Sequence, residues 1–199
     1  MSANEKSKSV LYMSMSLDGF IAGPDDDADH GLGVDGECLH DWLGPWTGKS
    51  AGFDPPGASA KVFEESMATG AVVVGRRTFD LAGRWGGDHH GVPIFIPTTG
   101  TPPPPESDWV NYVTDGVESA MRQAKDAAGE SNVMVHGASL AQSLLRAGVL
   151  DELEIHLVPV LLGEGRRLFE HLGADHTDLE LTRVLEAPGV VHLHYRVTS

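Results

Sequence analysis

The chain has 199 residues, with 29 acidic against 14 basic side chains and a net charge of −15. That length points to one domain and suffices to bury about 70% of the unfolded surface without covalent staples. The charge disfavours nucleic acid and anionic membranes as partners, and the single cysteine, Cys38, excludes an internal disulfide and a cysteine-based zinc site. No apolar run approaches the ~18 residues that span a bilayer. The first residues lack the apolar stretch of a signal peptide, so a soluble, cytoplasmic protein is expected.

In chain order, residues 10–15 (VLYMSM) predict a strand that bends at Asp18-Gly19. Residues 23–57 are Gly/Asp/Pro-rich, and a loop of that length in a compact domain is functional or mobile. Trp42 and Trp46 predict that part of it packs, with a short helix near residues 39–43. Asp25, Asp26, Asp27 and Asp29 lack calcium-loop spacing and read as a solvated tip.

Ser59 is placed to cap a helix running to about residue 69, ended by Gly70. Residues 71–74 (AVVV) form the continuous apolar run of a strand buried on both faces. Gly75-Arg76-Arg77-Thr78-Phe79 then turns into a short helix. Strands are expected at 92–96 and 109–113, joined by a stiff link through Pro102–Pro105. Thr114 or Asp115 caps a helix with Val117, Ala120, Met121 and Ala124 on one face. Residues 132–136 form a strand leading through Gly137-Ala138-Ser139 into a helix with Leu140, Ala141, Leu144 and Leu145 inward. A strand at 152–160, a tight turn at 161–165 and a hairpin of 179–185 with 190–197 complete the chain. The pattern is an α/β domain with a largely parallel sheet and an antiparallel edge.

Two segments share one physical device. At Val74-Gly75-Arg76-Arg77-Thr78 and Val135-His136-Gly137-Ala138-Ser139 a buried strand ends in small residues and a helix begins, so free N–H groups converge at the carboxyl edge of the sheet. With Arg76, Arg77 and Thr78 beside them, these turns read either as a phosphate clamp or as plain turns with solvated arginines. Asp18-Gly19 reads either as a turn or as a site. His192 and His194 share one strand face and His156 lies on another strand. They read as a metal site or, preferably, as polar positions on a partly exposed sheet or dimer interface, so no metal is expected. His89 and His90 read as solvated.

Taken in order, SLDGFIA from Ser16, VGRRTF from Val74, VMVHGASL from Val133, AGVLDEL from Ala147 and PVLLGEGRRLF from Pro159 resemble the RibD C-terminal domain family over about residues 10–197. The resemblance implies a single dihydrofolate-reductase-like domain: a three-layer α/β/α sandwich with a mixed, mostly parallel sheet and a C-terminal antiparallel hairpin. It also implies an NADPH-dependent reductase, expected as a homodimer, acting on a small molecule. Carried over by motif, Gly75, Arg76, Arg77 and Thr78 would hold the adenosine side, with Arg76 or Arg77 near the 2′-phosphate, and Thr98 and Thr99 near the ribose. Gly137, Ala138, Ser139 and Leu140 would cradle the pyrophosphate, and Ile21 and Ala22 would border the nicotinamide. Asp18 and Glu164 are the candidate catalytic carboxylates.

The chain departs from the family pattern at His136, where a glycine is usual, and this side chain would donate to a phosphate or fill space. It departs from dihydrofolate reductases at Ser59, which stands where a pterin-gripping carboxylate is expected. The lone cysteine leaves no zinc deaminase. The best label is a 5-amino-6-(5-phosphoribosylamino)uracil reductase-like enzyme. Its rivals are a pterin or xenobiotic reductase of the same fold and a nucleotide-binding dimeric protein without turnover.

Overall fold

Strand alternation sets the architecture. The computed structural model describes residues 7–48, 52–173 and 176–198. Eight strands form one sheet: β1 (Ser9–Ser16), β3 (Ala71–Val74), β4 (Ile94–Pro97), β5 (Val110–Val113), β6 (Val133–His136), β7 (Glu152–Val158), β9 (Leu179–Ala187) and β10 (Val190–Val197), in the order β5-β4-β3-β6-β1-β7-β10-β9. Pairings from β5 to β7 are parallel, whereas β10 runs antiparallel to β7 and β9. A small second sheet joins β2 (Phe20–Ala22) to β8 (Arg166–Arg167).

Odd and even positions of each strand serve opposite layers. Leu11, Val73, Val135, Leu153 and Ile155 pack on one face with α3 (Val117–Ala128) and α4 (Ala138–Arg146). Val10, Tyr12, Val72, Val74 and Met134 lie on the other face with Phe79, from α2 (Arg76–Leu81). That second layer also contains α1 (Ala58–Met67) and a 3-10 helix, Gly36–Leu43. The result is the expected three-layer α/β/α sandwich with a mostly parallel sheet and a terminal hairpin. Among the described residues no helix is long and apolar enough to cross a membrane.

Several local expectations need correction. The cap of α1 is Gly57, and Ser59 lies inside the helix with its hydroxyl against His192. The cap of α3 is Gly116, while Asp115 accepts a hydrogen bond from the Ser119 hydroxyl. The strand expected at 92–96 starts at Ile94, after Pro93, which has no N–H to give. The strand expected at 152–160 ends at Val158, before Pro159. The helix expected near 39–43 is present as the 3-10 segment.

Candidate functional site

The face of the sheet opposite α3 and α4 carries an unusual row of polar side chains. Pairing sets His192 beside His156 and His156 beside Ser14, and His136 ends β6 next to β1. Ser14, His156 and His192 are buried, and His136 is half-buried. His192 is 0% and His156 5% exposed, because Trp42 covers both rings at 4.9 and 4.4 Å and donates its indole N–H to Ser14 Oγ at 2.9 Å. The reading of a partly exposed sheet therefore fails: residues 36–43 and α1 form a roof that strand alternation does not announce. Burial drives the His156 pKa well below the usual imidazole value, and that of His192 down as well, so both rings are neutral.

Between that roof and the carboxyl ends of the strands lies a cavity of about 790 Å³. Trp42, Trp46, Phe53, Phe63 and Trp85 supply aromatic walls, Met13, Ile21 and Ala22 an apolar floor, and Ser14, Thr78, His40, His89, His136 and His156 the polar groups. Such a mixture suits a flat ring system with a few hydrogen-bonding atoms.

His136 donates from Nδ1 to the Tyr12 carbonyl at 2.8 Å, which fixes its tautomer and leaves Nε2 as an acceptor. Burial pushes its pKa down to about 4, so it carries no charge for a phosphate. His89 is also buried, contrary to the solvated expectation. It packs at 4.4 Å on Trp85 and 5.6 Å on His136, and its pKa falls to about 2. His90 meets the Thr69 carbonyl at 3.0 Å.

At the rim, Asp26 departs from the solvated acidic tip. Its carboxylate receives Nε and Nη2 of both Arg77 and Arg166 at 2.8–3.1 Å. Burial alone would raise its pKa, but the two guanidinium groups hold it below the usual carboxylate value.

The two strand-to-helix turns abut. Gly137 has φ +102°, and a Cβ there would stand 2.5 Å from Thr78 Oγ1. This glycine therefore lets the two turns pack closely at the start of α4, where the first-turn N–H groups lack partners within the helix. Backbone donors at this turn beside an apolar, aromatic cavity are chemically compatible with a dinucleotide.

A model of the RibD C-terminal domain matches residues 8–193. The chain belongs to that family. It is 28% identical over 198 residues to the uncharacterized protein YwjB of Bacillus subtilis (strain 168), covering 94% of this chain and 97% of that one. Among solved structures, a putative riboflavin biosynthesis protein from Shewanella sp. PV-4 superposes with a TM-score of 0.71 at 20% identity, over 96% of this chain and 99% of that one. A Thermotoga maritima diaminohydroxyphosphoribosylaminopyrimidine deaminase/5-amino-6-(5-phosphoribosylamino)uracil reductase gives 0.66 at 16% identity, over 98% of this chain but 57% of that one. The likenesses establish that the fold is that of the RibD C-terminal domain.

Within this RibD-type domain, the candidate residues divide. Ile21, Ala22, Arg77, Thr78 and His136 line the cavity. Gly75, Gly137, Ala138, Ser139 and Leu140 belong to the abutting turns beside it, with Leu140 buried in the core. Arg76 forms an ion pair with Asp80 at 2.7 Å and lies 5.4 Å over the Tyr112 ring. Thr98 and Thr99 follow β4, where Thr98 donates its N–H to the Val113 carbonyl.

Neither Asp18 nor Glu164 lines the cavity. Asp18 accepts from the Ser16 hydroxyl and the N–H groups of Gly163 and Leu162, and these bonds lower its pKa. It thus anchors the 160–163 turn as a carboxylate. Glu164 is exposed. Ser59 points away from the cavity, where α1 instead presents Phe63, Ser66 and Met67. Sequence reasoning missed His156 and Phe63 as wall residues; the polar alternation of β7 was the available signal.

Proposed function

We propose that this RibD-type domain is an NADPH-dependent reductase of a small planar heterocycle, nearest in chemistry to the reduction of a ribosylaminopyrimidine. The observation that carries the reading is that the Gly137 turn packs on Thr78, and Thr78 and His136 in turn line the aromatic cavity. A nicotinamide held there would supply the hydride, and the matching proton would come from solvent at the cavity mouth, since neither Asp18 nor Glu164 lines the cavity. The chain's own residues position and exclude water. Ile21 and Ala22 border the ring, Trp42, Phe63 and Trp85 desolvate the reacting pair, and the α4 first turn meets the pyrophosphate. His136 Nε2 accepts a hydrogen bond from a ring N–H of the substrate.

A pyrimidine fits better than a pterin because α1 offers no carboxylate to the cavity. In this reading Arg76, freed from Asp80, is the 2′-phosphate partner, since Asp26 already holds Arg77. A second reading, nucleotide binding without turnover, is favoured by the absence of Asp18 and Glu164 from the cavity wall. Fluorescence titration with NADPH separates these readings from none at all. Binding below about 50 µM with oxidation of NADPH on a pyrimidine or pterin panel supports the reductase, binding without oxidation supports the second reading, and no binding ends both. Arg76→Ala is expected to weaken NADPH about tenfold more than NADH; equal losses would remove Arg76 from the 2′-phosphate.

We further propose a homodimer through the β9–β10 edge. Leu179, Leu181 and Val184 pair with Val197, Tyr195 and Leu193, so all three share the α3/α4 side of the sheet, and they are 42%, 51% and 47% exposed. A patch of this kind fits a second copy related by a two-fold axis.

A further inference from the structure

Behind the cavity wall, β7 and β10 bring together a group that the proposed reductase chemistry does not use. Glu154 and His156 lie two residues apart on β7 and so share a face, and His192 lies directly across from His156 on β10. One carboxylate oxygen of Glu154 and one ring nitrogen of each histidine all lie within 4.8 Å of one another, and all three residues are buried. The two imidazoles face each other through Nδ1 at 2.9 Å.

The carboxylate supplies a second, independent observation. Oε2 of Glu154 is held by Arg183 at 3.0 Å and by His194 Nδ1. Oε1 is fully buried and has no hydrogen-bond partner among the described residues. A buried carboxylate oxygen left unpaired is costly, and native proteins seldom tolerate one. His194 is not available to complete the set, because both its nitrogens are engaged by Glu154 and Glu152.

We propose that Glu154, His156 and His192 bind one borderline divalent cation of the zinc, cobalt or nickel type. This departs from the expectation of no metal and from the His156/His192/His194 trio, with Glu154 replacing His194. Two imidazoles and one carboxylate are the donor set such ions prefer, and the nitrogens disfavour calcium and magnesium. Ligand atoms about 2.1 Å from a tetrahedral ion stand about 3.4 Å apart. The facing nitrogens therefore open by about 0.5 Å, and the widest separation closes by no more than about 1.5 Å.

The surroundings supply what a ligated imidazole needs. His192 Nε2 lies 2.9 Å from the Ser59 hydroxyl, which accepts its N–H once Nδ1 is given to the ion. Trp42 packs on both rings and holds their planes. His156 also lines the cavity, which gives the ion a route inward. An ion here ties the C-terminal hairpin to the parallel sheet and fixes the cavity wall at His156.

The test is metal binding by the full chain after chelator dialysis, with cobalt as a visible-absorption probe and zinc as competitor. One cobalt per chain is expected at micromolar concentration, with d–d bands that zinc abolishes. His192→Gln should weaken cobalt about 100-fold and Ser59→Ala about tenfold, while His171→Gln, at an exposed ring, changes nothing. Wild-type binding only at millimolar concentration, or loss of the bands in His171→Gln, overturns the proposal. Should His192→Gln fail to fold, X-ray absorption at the zinc edge of the loaded wild-type chain decides. Two imidazole shells near 2.0 Å support the site, and none refutes it.

Discussion

Gly137 concentrates much of the site in one backbone position. Its φ of +102° and the Thr78 hydroxyl 2.5 Å from a would-be Cβ leave no room for any side chain. Gly137→Ala should therefore cost about 1–3 kcal/mol in denaturant unfolding and weaken NADPH. Gly75→Ala is the contrast: its φ of −65° is ordinary, and the nearest atom to its Cβ would be Leu140 Cβ at 3.5 Å, so a loss under about 1 kcal/mol is expected. Both glycines were legible as small residues between a strand and a helix, but the difference between them is tertiary. Asp26 was misread for a related reason: its partners Arg77 and Arg166 lie 51 and 140 residues away, and a run of aspartates is usually solvated. Asp26→Asn removes the charge from a carboxylate gripped by two guanidinium groups. The freed arginines should then bind inorganic phosphate or a phosphorylated ligand about tenfold more tightly, as read by calorimetry. Unchanged affinity would mean that the arginines do not face an anion site.

At the scale of elements, the segment from Gly83 to Gly91 meets the end of β6 through a contact between histidine rings. His89 and His136 are in ring contact with each other and with Trp85, and burial depresses both pKa values, to about 2 and about 4. Their unfolded value is about 6.5. Because the folded pKa is the lower one, the unfolded chain takes up protons first as pH falls. The stability from each group is thus complete above about pH 6.5 and is lost on acidification, until pH passes the folded value. Between pH 7 and pH 5 each ring should cost about 2 kcal/mol in guanidinium unfolding, and His136→Gln should remove its share of that loss. A flat profile over this range would show that water reaches both rings. The strands themselves were legible, since AVVV, VMVH and the terminal hairpin carry their own patterns. What the sequence withheld was their covering. The polar faces of β7 and β10 alternate like those of a solvated strand, and only the packing of Trp42 and α1 shows them to be interior.

For the molecule as a whole, the net charge of −15 and the apolar β9 face act in opposition. Two such chains repel one another, yet Leu179, Leu181 and Val184 stay exposed on a sheet edge that a second copy could cover. At 0.15 M salt the Debye length is about 8 Å, so much of the repulsion between distant carboxylates is screened and burial of the apolar patch decides the outcome. Light scattering is therefore expected to report a dimer at that salt and partial dissociation at about 0.01 M, where screening extends to about 30 Å. Leu181→Glu places a charge at the centre of the patch and should give monomers at every salt concentration. Trp109→Glu acts at the opposite edge of the sheet, beside β5, where Trp109 is 41% exposed. It should leave the mass unchanged. Monomers from Trp109→Glu but not from Leu181→Glu would move the interface to that edge, and a monomeric wild type would end the two-copy proposal.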